Sequence, residues 1–501
     1  MEKIGFFKIF FFLKDSCRRW GTFRLYFYSG IMMILLFINF FTFSVYSGQD
    51  EAVTLNNNAL EYMRKGMVDE ATPLLEKAYN LNSENKIIRE NLIGAYYLKA
   101  KEYEKKGEYD LCIEAYQKIL NRFSKDNLTL KNFITSLNNI GVTYSEKKNY
   151  TESEKYFRLA INLLREYKDK DLSKVVSVNY AGVLNNLAYK DYLNQEKLSA
   201  ISDLKRSLRL DPSNPDTYQL LGDIYYDSNN YDYAQLYFEK SLKINPTNSN
   251  LKKKLSMLLR EIKIEKDFFQ MEDEEKKFVI HYQYDKDKEQ VAKILEVLTL
   301  AYKKLGSDLN FYPRQQISVK IYTSQQFGYV TEMPEWAIGL YDGKIRLKSD
   351  DFKSELYYLK QTIYHEFAHS ILSLLIKKNL PVWVQEGFAQ YEEPNKEITV
   401  DEMKLVVEEY KKNGMKGLGF KDETEVEFYN KNSLSQLYVC SKLFVDYLVK
   451  TYEMNKLRDF LIGNVYEKDW KSAFKKAYGK EFDVVVEEWI KYLKWNLIGK
   501  N

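Results

Sequence analysis

Small residues twelve positions apart recur five times: Ala59/Ala71, Ala100/Cys112, Gly141/Ser153, Ala188/Ala200 and Gly222/Ala234. Larger residues keep step with them. Three positions after the first small residue stand Tyr62, Tyr103, Tyr144, Asp191 and Tyr225, and four after the second stand Leu75, Tyr116, Phe157, Leu204 and Phe238. Paired small residues let two antiparallel helices approach closely, and the large ones fill the space between successive pairs. Pro212 and Pro246 close the last two units, because proline cannot continue a helix. A unit of this kind cannot bury its apolar face alone, so the pattern demands a stack of helical pairs over residues 52–265. The low counts of glycine (21) and proline (8) in 501 residues suit long helices and exclude collagen-like or proline-rich architecture.

Residues 215–246, PDTYQLLGDIYYDSNNYDYAQLYFEKSLKINP, resemble the tetratricopeptide repeat consensus closely. The earlier units depart from it in spacing, which implies longer helices or inserted turns. Asn250–Lys263 reads as a polar-faced helix that caps the array. The resemblance implies a groove that takes a protein or peptide segment, with a purely spacing role as the alternative. Three cysteines exclude a disulfide scaffold or a cysteine-rich zinc module. The net charge of +4 is carried by residues 1–30, with six Lys/Arg against two acids. No global basic field points to nucleic acid.

Leu25 to Gln49 carry no charge, and Lys14, Arg18, Arg19 and Arg24 precede them. About 20 apolar residues span a bilayer as a helix. The basic flank places the N-terminus in the cytoplasm and everything after residue 49 on the far side. The run is longer than a usual signal-peptide core, which favours a single-pass membrane anchor. Cleavage after Ser47, with Val45 and Ser47 as the small residues, is the alternative and would release a secreted or periplasmic protein.

Beyond the polar stretch Glu265–Lys277, the pattern becomes mixed. Phe278–Tyr284, Ile317–Thr323 and Lys344–Lys348 read as strands and Asp287–Leu305 as an amphipathic helix, with helices dominant from Glu355 onward. Strands first and helices after indicate an α+β domain. In the first long helix stands His365-Glu366-Phe367-Ala368-His369, which holds two of the chain's three histidines. One turn apart, both imidazoles project from one face and can hold one metal ion, with Glu366 in reach of a water. Zinc needs a third protein ligand and an open position. Glu386 is the candidate, because Pro381 starts a second helix that folds back and the neighbours Trp383 and Phe388 read as buried. Glu392 and Glu393 are alternatives that read as exposed. Two imidazoles and one carboxylate also suit Fe(II), but the glutamate inside the motif favours zinc. Gln390, one turn after Glu386, is a candidate to accept a hydrogen bond from a ligand histidine. His281 reads as a strand residue, and Cys440 is assigned no role.

HEFAH followed by LPVWVQEGFAQY resembles the gluzincin clan of zinc metallopeptidases, specifically its peptidase MA-like domains, from about residue 278 to 495. The resemblance implies one zinc per chain on His365, His369 and Glu386, and Glu366 as the water-activating base. It also implies an edge strand, here Gly343–Leu347, that pairs with an extended substrate. Tyr438 matches a tyrosine that stabilises the developing oxyanion in relatives; helix packing is its alternative role. The absence of a Gly-Ala-Met-Glu-Asn-type segment favours an endopeptidase over an aminopeptidase. The chain therefore reads as multidomain. Residues 1–49 form a basic stub and a transmembrane or signal segment, 52–265 an all-α tetratricopeptide-like solenoid, and 276–498 an α+β zincin-like peptidase domain. The expected function is a membrane-associated zinc peptidase acting on substrates recruited by the repeats. The rival is a membrane-tethered scaffold with a non-catalytic peptidase-like domain.

Overall fold

The computed structural model describes residues 32–34, 48–123, 127–284, 288–335, 337–349, 352–376, 380–394, 397–421, 431–467 and 469–498. Most of the uncharged N-terminal run, and with it the transmembrane or signal segment, lies outside the described residues. Among the described residues no helix is long and apolar enough to cross a membrane. The chain divides into two compact units, residues 1–186 and 187–501.

Among its described residues the first unit is all helical. It holds α1 (48–64), α2 (Val68–Leu81), α3 (Lys86–Lys106), α4 (Tyr109–Arg122), α5 (Asn127–Glu146), α6 (Tyr150–Leu164) and the start of α7 (Lys170–Leu193). The small residues sit where the helices touch: Ala59, Ala71, Ala100, Cys112 and Ser153 are fully buried. Ser153 Oγ donates to the Gly141 carbonyl at 2.6 Å, so α5 and α6 meet backbone to side chain. A Cβ on Gly141 would lie 2.7 Å from the Phe157 ring. Gly141→Ala is therefore expected to cost about 1–3 kcal/mol. Gly94→Ala in α3, where a Cβ meets nothing within 4 Å, is expected to be neutral or to stabilise by up to about 1 kcal/mol. Urea unfolding of the two variants checks the contrast.

The second unit begins with the end of α7 and continues through α8 (Lys197–Leu210), α9 (Pro215–Tyr226), α10 (Tyr231–Ile244) and α11 (Ser249–Glu265). Asn214 caps α9 by accepting from the backbone N–H groups of Asp216 and Thr217, with Pro215 opening the helix. Mixed structure starts at β1 (Phe269–Glu272) and β2 (Phe278–Tyr282), followed by α12 (Lys288–Leu309), β3 (Ile317–Tyr322), α13 (Ser324–Thr331), β4 (Gly339–Tyr341) and β5 (Ile345–Lys348). Helices follow: α14 (Phe352–Leu375), α15 (Val382–Glu392), α16 (Val400–Asn413), a 3₁₀ turn (Gly414–Leu418), α17 (Lys431–Tyr466), α18 (Trp470–Tyr478) and α19 (Phe482–Ile498). The change to mixed structure falls between Glu265 and Phe269, yet the compact units divide inside the repeats, so the last repeat and its capping helix belong to the C-terminal unit.

The five strands among the described residues lie in the order β1-β2-β3-β5-β4. β2, β3 and β5 are parallel, and the two edge strands run antiparallel to their neighbours. Alternation sorts their side chains. Phe278, Ile280, Ile317, Val319, Ile321, Ile345 and Leu347 share one face and enter the main core with residues of α12 and α14. The opposite face carries Tyr322, which packs with Phe327 and Val330 of α13 and with Met257 and Ile264 of α11. Trp383, fully buried, anchors α15 among Phe420, Phe444, Phe460, Trp470 and Phe482, with ring centroids 5.3–6.2 Å away.

Candidate metal centre

α14 is apolar where it meets the sheet: Ile363, Phe367, Ala368 and Ile371 are fully buried. That packing turns the face bearing His365 and His369 towards α15, which carries Glu386. The three side chains converge, and one donor atom from each falls in a group no wider than 4.8 Å. His365 Nε2 lies 3.2 Å from His369 Nε2 and 3.4 Å from Glu386 Oε2, and His369 Nε2 lies 3.5 Å from Glu386 Oε1. Ligands about 2.0–2.1 Å from a tetrahedral zinc stand roughly 3.3–3.4 Å from one another; the two imidazole nitrogens meet that spacing, and each lies near it from a different oxygen of Glu386, so a small turn of that carboxylate would bring one oxygen to the ion.

A hydrogen bond orients one of the two imidazoles. His365 Nδ1 is 2.9 Å from Glu393 Oε1. The carboxylate accepts, so Nδ1 carries a hydrogen and Nε2 is the nitrogen that faces Glu386 and His369. Burial pushes the His365 imidazole down, but its hydrogen bonds to Glu386 and Glu393 outweigh that and raise it to about 10, so without an ion both nitrogens hold hydrogens and a metal would displace the one on Nε2. Burial holds His369 at about 4, the neutral form a ligand needs. Burial also raises Glu366 to about 7, against the pull of His365. Glu366 stands at the sheet edge: a Cβ on Gly339 of β4 would fall 2.5 Å from its Oε1. Only glycine lets the edge strand come this close.

Three expectations change. Glu392 and Glu393 are not exposed. Glu392 is 1% exposed and pairs with Lys304 of α12, while the Glu393 side chain is 8% exposed and orients His365. Glu393 lies seven residues after Glu386, on the same helix face, and that spacing was the available signal. Gln390, the expected partner of a ligand histidine, instead donates its amide to the Tyr438 carbonyl at 3.3 Å and ties α15 to α17. The edge strand is Gly339–Tyr341, not Gly343–Leu347. The turn at Asp342-Gly343 folds the chain back, so β5 lies inside, between β3 and β4. Tyr438 is half-buried, and its hydroxyl is raised above the ordinary tyrosine range by burial and then by the charges of Glu386 and Glu366. His281 sits on β2, beside Lys320 in register, and burial lowers it to about 3. Cys440 is fully buried, and burial raises its thiol to about 12.

Residues 299–495 match the family model of the Peptidase MA superfamily. Residues 93–126, 133–166 and 215–248 match tetratricopeptide repeat models. The chain thus carries three tetratricopeptide repeats and a C-terminal Peptidase MA superfamily domain. No curated protein matches it. Similar solved structures are tetratricopeptide proteins. PilF of Pseudomonas aeruginosa is 22% identical over 44% of this chain and 88% of that chain, with a TM-score of 0.21. A thermophilic repeat protein of Thermus thermophilus is 19% identical over 42% and 98%, with a TM-score of 0.17. YrrB, described as having an unusual peptide-binding site, is 17% identical over 42% and 95%, with a TM-score of 0.21.

Proposed function

We propose that this chain is a zinc-dependent peptidase that hydrolyses protein or peptide substrates taken up by its repeats. The observation that carries the reading is the convergence of His365, His369 and Glu386 donor atoms within 4.8 Å, with Glu366 adjacent to His365 in the chain. These three residues would hold one zinc per chain, and zinc there supplies a Lewis acid that lowers the pKa of a water to about 7 and polarises a carbonyl.

The chain's own groups do the rest. Glu366 takes the proton of the attacking water and passes it to the leaving amine. The Tyr438 hydroxyl, kept protonated by its surroundings, donates to the developing oxyanion, the kind of donor whose loss costs roughly 3–4 kcal/mol. An extended substrate adds to the outer edge of β4, where main-chain hydrogen bonds hold it in line with Glu366. A sheet edge accepts an internal segment as readily as a terminus, which supports endopeptidase over aminopeptidase cleavage. The uncharged run before residue 49 and its basic flank support attachment to a membrane, with both domains on the extracytoplasmic side; a cleaved run would leave the protein secreted or periplasmic.

The test is metal content. The purified protein is expected to hold about one zinc per chain, and the His365→Ala/His369→Ala variant none. Absence of metal after zinc reconstitution would overturn the peptidase reading in favour of the tethered repeat scaffold.

A further inference from the structure

On the face of the sheet away from α14 lies a row of buried polar and charged side chains. His281, Lys320 and Arg346 are neighbours in register across β2, β3 and β5, and all three are buried. Arg346 is completely inaccessible. Its Nη2 donates to the Tyr226 hydroxyl at 2.8 Å, its Nη1 to the Tyr322 hydroxyl at 3.1 Å, and its Nε to both oxygens of Asp342 at 3.1 Å. Glu261 of α11 pairs with the same guanidinium. One rigid fork of donors thus joins the end of α9, the middle of α11, β3 and the turn between β4 and β5.

A second tie lies beside it. Lys344 Nζ donates to the Tyr231 hydroxyl at 3.0 Å and stands 3.8 Å and 4.4 Å from the ring centroids of Tyr226 and Tyr231. Tyr226 ends α9 and Tyr231 opens α10. The turn of the last repeat therefore grips the β4–β5 hairpin from one side. From the other side the hairpin meets Glu366 through Gly339. β4 has only three residues and one hydrogen-bonded neighbour, so its own ladder gives it little hold.

We propose that Tyr226 is a positioning residue for the candidate active site: through Arg346 and Asp342 it fixes the depth at which β4 lies against Glu366. The identity of β4 as the substrate-binding edge rests on the peptidase reading, whereas the mechanical link does not. A buried guanidinium cannot slide without leaving donors unmet, so the hairpin has one seat while Tyr226 and Glu261 hold it. The last repeat is then a working part of the hydrolytic domain, and a segment bound to it acts on the edge strand.

Tyr226→Phe in the full chain removes one hydroxyl and keeps the ring over Lys344. Amide hydrogen exchange across residues 337–349 is expected to quicken about ten-fold, with exchange across 358–375 and the zinc content unchanged. With fluorescein-labelled casein as probe, KM is expected to rise several-fold while kcat stays within about two-fold. Tyr225→Phe, whose ring stacks on Tyr233 and Tyr237, should change neither. Unchanged hairpin exchange would overturn the link, as would loosening spread equally over α12 and α14. A fall in kcat at constant KM would overturn the role at the edge. If the unaltered chain neither holds zinc nor cleaves casein, the peptidase reading falls, and the exchange comparison still decides whether Tyr226 seats the hairpin.

Discussion

Glu366→Gln is expected to leave about one zinc per chain and to lower hydrolysis by roughly 10²–10⁴-fold, the range removed with a general base. The substitution is nearly isosteric, which matters here. Glu366 is buried, and the edge strand passes so close that even a methyl group on Gly339 would strike it. A larger or shorter side chain would move β4 and confound chemistry with positioning. The amide keeps the volume and loses the ability to take a proton. The metal is expected to remain, because the three converging donors belong to His365, His369 and Glu386. Zinc content and casein cleavage measured on one preparation separate the two effects. Turnover within ten-fold of the unaltered chain would remove Glu366 from the proposed role.

The parts of this molecule that sequence made legible are those whose partners are near in the chain. His365 and His369 need only one helical turn to meet, and Glu386 needs one further turn between helices. The paired small residues of the repeats are likewise twelve positions apart. The parts that escaped depend on distant partners. Glu392 and Glu393 look like a solvated helix end until α12 brings Lys304 to one and α14 brings His365 to the other. β1 hides in a charged stretch because it is an exposed edge whose order comes from pairing with β2. β4 is too short for alternation to reveal. Arg346 and Tyr226 are 120 residues apart. In Lys344–Lys348 the polar positions alternate as they would on a strand with one wet face, and nothing local reveals that α11 and the last repeat cover that face.

That cover supplies the other large effect. Glu265→Ala is expected to cost about 3–5 kcal/mol, the cost of stranding one member of a buried ion pair, against a total stability of about 5–15 kcal/mol for an ordinary domain. Glu265 and Lys320 are both buried and 2.6 Å apart, and the hydroxyls of Tyr231 (3.1 Å) and Tyr322 also donate to the carboxylate. Burial alone would raise this carboxyl, but Lys320 and the hydrogen bonds outweigh it and hold it below the ordinary value. The sign follows: the unfolded chain binds the proton more readily, so the contribution is present above about pH 4.5 and is lost as pH falls through the folded-state value. The gap in urea midpoint between the unaltered chain and Glu265→Ala is therefore expected to be widest near neutrality and to shrink below about pH 4.5. Adding Lys320→Met to Glu265→Ala removes the stranded charge and is expected to recover much of the loss, since an apolar replacement of both partners is often neutral. A single-variant cost under about 1 kcal/mol at pH 7, or a gap that does not narrow in acid, would mean that this pair does not hold the capping helix on the sheet.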